Sequence, residues 1–216
     1  MIQLQIKDRS GPLYVRASFF LKVHRQMFKR GESGEVFSDT PREEKMNRKK
    51  MEPAECAEMV EQALKKGIFL TTANGDKVNS MVIGWGHIGR IWNRQVFVVY
   101  VRKSRYTREL LDKNPEFTVN VPVNGYSKEA FAICGSKSGR DMDKIRESGL
   151  TVVPAEVVSV PAIKEFPLTL ECRVLYRQEQ DSSMLPDDIR SQFYAVENDD
   201  HIAYFGEIVS AYMLEV

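Results

Sequence analysis

With 216 residues, 43% of them hydrophobic and 28% charged, the chain has the composition of a folded protein long enough to bury one full core, and nothing in its length demands a second domain. Every apolar run falls short of the roughly 20 residues of a membrane span, so a membrane partner is not expected. The three cysteines, Cys56, Cys134 and Cys172, form no C-x-x-C pair, which argues against a metal cage or a disulfide framework and for a reducing cytoplasm.

The net charge of +1 conceals an asymmetry: residues 1–50 carry 12 Lys and Arg against 6 Asp and Glu, leaving 19 against 24 in the remainder. Residues 1–45, with "RGESGE" and "SDTPREE", are read as a flexible basic extension, and residues 46–216 as the folded domain. Basic arms sometimes touch nucleic acid, but the folded part lacks the interleaved aromatics and basic face of such a binder, so no nucleic-acid partner is expected.

Along the folded part, "AECAEMVEQALKKG" after Pro53 places Cys56, Val60, Ala63 and Leu64 at helical spacing, with Gly67 as the stop. In "IFLTTANGDKVNSMVIGW" two β-rich runs flank Asn74-Gly75, the dipeptide that best supplies the positive φ angles of a tight hairpin. Residues 68–73 and 77–85 should therefore pair antiparallel. The next stretch, "GWGHIG" at 84–89, spells G-x-G-x-x-G, the loop that in a Rossmann unit wraps a dinucleotide pyrophosphate. That loop needs a helix at its end and an acidic residue about 20 positions later. Here "RIWNRQVFVVYVR" follows, a strand, with no acidic residue between Asp76 and Glu109. The glycines then read as a connection between antiparallel strands.

"SRYTRELLDKNP" is a short helix with Ser104 as N-cap and Pro115 closing it, and "EFTVNVPV" is a strand. "GYSKEAFAICG" and "SGRDMDKIRESG" read as two short helices around a glycine-serine loop, the second ended by Gly149. Three more strands follow, in "LTVVPAEVVSVPAI", "LTLECRVLYRQEQ" and "HIAYFGEIVSAYMLEV"; the middle one alternates Leu168, Leu170, Cys172, Val174 and Tyr176 on one face. "DSSMLPDDIRSQFY" is a polar excursion with helical potential. Six or more strands in hairpin order with short peripheral helices predict a mainly β protein, an antiparallel barrel.

Polar groups converge most densely at Arg102, Ser104, Arg105 and Thr107, where a strand ends and a helix begins. Unpaired N–H groups and guanidinium forks there make a phosphate site, unless they are simply a capped helix with solvated arginines. In "VNSMVIGWG" strand alternation buries either Asn79 or Ser80, and a buried polar side chain needs a partner, local or ligand. Trp85 and Trp92 fit core or interface better than a cofactor contact. In "CGSKSGRDMDK", Lys144 is placed about one turn from Asp141, as for an ion pair. His24, His87 and His201 lack metal-ligand spacing, no metal site is expected, and no Ser/His/Asp set assembles.

In this order, "NSMVIGWGHIG", "VYVRKSRYTRELL", "FTVNVPV", "CGSKSGRDMDK" with "SGL", and "HIAYFGEIV" resemble the flavin reductase-like family of FMN-binding split barrels, in its flavoredoxin-type branch. The resemblance spans roughly residues 53–212. It implies a six-stranded antiparallel split β-barrel with short peripheral helices, usually a homodimer with FMN near the subunit interface. It further implies that Asn79, Ser80 and Met81 lie along the isoalloxazine with Trp85 close by, and that Arg102, Ser104, Arg105 and Thr107 receive the phosphate. Ser138, Gly139, Asp141 and Lys144 are implied to approach the ribityl chain or ring, and His201 and Tyr204 to close the site. Where many relatives carry Thr, this chain has Ser80, which keeps the hydroxyl. The implied activity is hydride transfer from NADH or NADPH to flavin, with electrons passed to a free flavin or a redox protein. The alternative is a flavoredoxin-like FMN electron carrier with no nicotinamide reductase activity of its own.

Overall fold

In a computed structural model the described residues are 46–123, 125, 127–196 and 199–215; the basic extension, with His24, lies outside them. The first strand, β1 (Asn47–Lys50), leads to α1 (Pro53–Leu64), whose proline sits in the first turn and whose buried stripe is Cys56, Val60 and Leu64. The Asn74-Gly75 hairpin joins β2 (Ile68–Asn74) and β3 (Lys77–Ile83), with Gly75 at φ 60°. Strands β4 (Gly86–Ile91) and β5 (Arg94–Arg102) form a second hairpin, followed by α2 (Tyr106–Lys113) and β6 (Glu116–Val121). Two short helices, α3 (Lys128–Ser136) and α4 (Lys144–Glu147), precede a detached pair, β7 (Val152–Val153) and β8 (Ala162–Ile163). Strand β9 (Leu168–Glu179), a 3-10 turn at Ser182–Met184, helix α5 (Asp187–Phe193) and β10 (His201–Glu215) complete the order.

The main sheet is antiparallel throughout and runs β3-β2-β6-β9-β10-β5-β4, with β1 added on β10. Its end strands β3 and β4 are consecutive in the chain, yet they do not pair with each other. Gly84 and Trp85 cross that gap, so the sheet stays open there.

One core fills the interior, from Leu70, Phe97, Val99, Val101, Phe117, Val119, Leu168 and Leu170, with the α1 stripe packed against it. Each such fully buried side chain contributes about 1.5–3 kcal/mol. A second cluster lies on the other face of β2, where Phe69 stacks on Phe166 at 4.1 Å and meets Phe131 edge-on at 4.7 Å beside α3. Strand β2 is therefore covered on both faces, which is why "IFLTTA" reads as an unbroken buried run.

The strand count exceeds the expected six. The glycine stretch taken as a connection is itself strand β4, and its tight turn falls at Trp92-Asn93, both at positive φ (51° and 59°). At Gly86 a Cβ would meet the Phe97 ring at 2.9 Å, so that glycine serves close strand packing. "LTVVPAEVVSVPAI" yields only the two-residue strands β7 and β8, because its middle is tied elsewhere. The backbone N–H groups of Glu156, Val157 and Val158 donate to the fully buried carboxylate of Glu171 on β9, at 2.6, 2.7 and 3.1 Å. The N-cap of α2 is Arg105, not Ser104. None of the helices among the described residues is long and apolar enough to cross a membrane.

Candidate functional site

The site forms where β3, the β5–α2 turn and the loop between α3 and α4 meet. Alternation along β3 turns Asn79 and Ser80 to opposite faces, and both are buried. The Ser80 hydroxyl lies 3.1 Å from Thr71 Oγ1, in a buried ladder that continues through Asn120 to Thr169. Asn79 faces the other way. Its Nδ2 donates to Thr107 Oγ1 in the first turn of α2 at 3.0 Å, while its buried Oδ1 has no partner among the described residues. A Cβ at Gly139 would overlap the Asn79 amide and lie 2.9 Å from the Tyr106 ring, so only glycine lets the backbone pass this close to that orphaned oxygen.

Two cations border the recess. Lys144 is 4% exposed, and its Nζ donates to the carbonyls of Cys134 (3.0 Å) and Lys137 (3.3 Å). Burial, with the nearby Arg105 charge, holds its pKa below the ordinary lysine value. The expected ion pair with Asp141 does not form: Asp141 lines a separate groove with Gly139, Arg140 and Lys77. Arg105 is exposed, and its side chain has no hydrogen bond or ion pair among the described residues, although its backbone N–H donates to the Arg102 carbonyl at 3.0 Å.

Asn79, Met81, Arg105, Thr107, Gly139 and Lys144 line this small recess. Met81 and Arg105 also line a wider cleft of about 210 Å³, whose other walls include Trp85, Tyr100, Arg102, Phe193 and His201. The Trp85 ring sits 4.9 Å from the His201 imidazole and 5.3 Å, edge-on, from Phe193. His201 Nδ1 is 2.9 Å from the Tyr194 hydroxyl. Burial, reinforced by the Arg102 charge, depresses the His201 pKa to about 4, so the ring is neutral at pH 7.

Other expected site residues stand differently. Arg102 donates to the carbonyls of Phe193 (2.6 Å) and Asp199 (2.9 Å), so its guanidinium is occupied by the chain. Ser104 N–H donates to Asp199 Oδ1 at 2.9 Å, and its carbonyl accepts from Arg140. The Ser138 hydroxyl accepts the Arg140 N–H at 3.2 Å. Tyr204 is 1% exposed within the barrel core and does not border the cleft. Burial raises the thiol pKa of all three cysteines, Cys56 to about 11, which removes them as nucleophiles at neutral pH.

A recess with an anchored amide, an unpartnered arginine and a helix N-terminus, opening into an aromatic cleft, suits a flat ligand with an anionic tail. Residues 62–215 match the family model described as the flavin reductase like domain. The chain belongs to that family. Among flavin reductase-like structures, a flavoredoxin from Methanosarcina acetivorans is 31% identical, with a TM-score of 0.52 over 68% of this chain and 67% of that one. A flavoredoxin of Desulfovibrio vulgaris (Miyazaki F) is 25% identical, with a TM-score of 0.53 over 68% of both chains. An uncharacterized protein of Archaeoglobus fulgidus is 30% identical over 156 residues, 72% of this chain and 77% of its own. The two flavoredoxin structures share the antiparallel split-barrel fold described above. Tyr100, Phe193 and Tyr194 were not singled out in the sequence. Tyr100 shares a strand face with Arg102, a usable signal, whereas nothing in the polar excursion marks Phe193.

Proposed function

We propose that the chain binds FMN in this recess and cleft and catalyses hydride transfer from NADH or NADPH to flavin, passing electrons on to a flavin or protein acceptor. Homodimerisation and a cytoplasmic site of action complete the proposal. The observation that carries it is the uncommitted Arg105 side chain, which lines the same recess as Asn79, whose buried Oδ1 is orphaned and tolerates only a glycine against it at residue 139. These features fit the cofactor. Arg105 and the first N–H groups of α2 would take its phosphate, by a charge-assisted contact and the positive end of the helix. Asn79 Oδ1 would accept from a ribityl or ring donor, and Met81 and Trp85 would flank the ring.

Bound FMN would supply the redox chemistry, accepting two electrons and a proton as a hydride equivalent. The chain's own residues do the rest. Lys144 and Arg105 place fixed positive charge where negative charge must be stabilised. The neutral His201 keeps a further positive charge off the cleft wall and can exchange a hydrogen bond without a change of protonation. No side-chain general base is required.

A second reading, an FMN electron carrier reduced by another protein, draws support from the 31% identity to a flavoredoxin. Steady-state oxidation of NADH and NADPH with added FMN separates the two. A rate well above that of free flavin is expected. A rate no greater than free flavin leaves only the carrier.

A further inference from the structure

We propose that Arg102 is a positioning residue that pins α5 against the cleft, and that Phe193 is thereby made the wall that sets access to the ring seat. This rests on the reading of the cleft as that seat. The guanidinium fork is bound at two points of one segment, the carbonyls of Phe193 and Asp199, and it lies over the Tyr194 ring at 5.4 Å. Its carboxylate neighbour Asp199, 3.9 Å away, also takes the Ser104 N–H, and Lys103 N–H donates to the Asp200 carbonyl at 3.1 Å. Asp199 and Asp200 are thus tied to the end of β5 by three consecutive residues, and of these Arg102 alone also reaches α5, at the Phe193 carbonyl. Phe193 and Tyr194 are presented as a result: Phe193 against the Trp85 edge, and Tyr194 against His201. The Arg102 fork has two of its five donors committed to carbonyls and its charge paired with Asp199, whereas the Arg105 side chain has all five of its own. The two arginines, three residues apart, therefore divide the work: Arg105 takes the anion, and Arg102 shapes the cleft.

The test uses full-length protein with Trp92→Phe as background, so that Trp85 is the sole tryptophan, and titrates FMN and riboflavin in parallel. Arg105→Ala should cut the preference for FMN over riboflavin at least about fivefold. Arg102→Ala should leave that preference within about twofold while raising the acrylamide quenching constant of Trp85 about twofold. Phe193→Ala should reproduce the rise in quenching. Should Arg102→Ala fail to fold, Arg102→Lys decides: a single ammonium cannot replace the fork, so quenching should rise with the FMN preference retained. Loss of the preference in either Arg102 variant makes Arg102 a phosphate ligand and overturns the proposal, as does unchanged quenching. If unmodified protein binds neither flavin, the assignment of the cleft fails instead, and the quenching results alone still decide whether Arg102 holds α5.

Discussion

Arg105 and Gly139 carry most of the functional argument, and each makes a sharp prediction. Arg105→Ala should weaken FMN binding by about 1–3 kcal/mol through loss of a charge-assisted contact, read as a shift in the dissociation constant by fluorescence titration. Gly139→Ala should displace the Asn79 amide or the Tyr106 ring, lowering stability by about 1–3 kcal/mol and weakening FMN binding with it. An unchanged dissociation constant in both variants would move the anion site elsewhere. His201 gives a pH dependence of defined sign. Its folded pKa, about 4, lies below its ordinary value of 6.5, so the neutral ring's contribution to stability is complete above about pH 6.5 and is lost as pH falls toward 4. His201→Gln should flatten the melting temperature across that window; an equally steep fall in the variant would assign the acid sensitivity to other groups.

Elements whose partners are local were legible in the sequence. The stripe of α1, the Asn74-Gly75 hairpin and the helix after Arg105 each follow from spacing and turn chemistry within a dozen residues. The misses arose where distant residues decide. Strand β4 is held by pairing to β5 around two non-glycine residues at positive φ, a geometry that "WN" does not announce. The 150–163 stretch keeps only the short strands β7 and β8 because Glu171, on another element, collects the N–H groups of its middle. Two predictions belong to this scale. Asn93→Gly should stabilise the β4–β5 turn by about 0.5–1 kcal/mol, because glycine adopts positive φ without steric cost. Glu171→Ala should cost about 3 kcal/mol or more, since three N–H groups lose one buried acceptor together; chemical denaturation measures both. Within the site, the orphaned oxygen of Asn79 and the occupied fork of Arg102 were beyond the sequence, because both depend on segments far along the chain.

At the level of the whole molecule, the β4–β5 turn, β9 and β10 bring together Trp92 (54% exposed), Tyr176 (44%) and Phe205, with ring centroids 5.5–6.0 Å apart. Exposed aromatics grouped in this way suit burial against a second copy. For the proposed homodimer, Trp92→Asp should shift the sedimentation profile toward monomer; an unaltered profile would place the contact elsewhere. The central claim, that a flat coenzyme with an anionic tail occupies the recess at Arg105, is tested most directly by an absorbance spectrum taken after incubation with FMN and desalting. A retained flavin band near stoichiometry is the predicted result. A colourless protein would contradict the account.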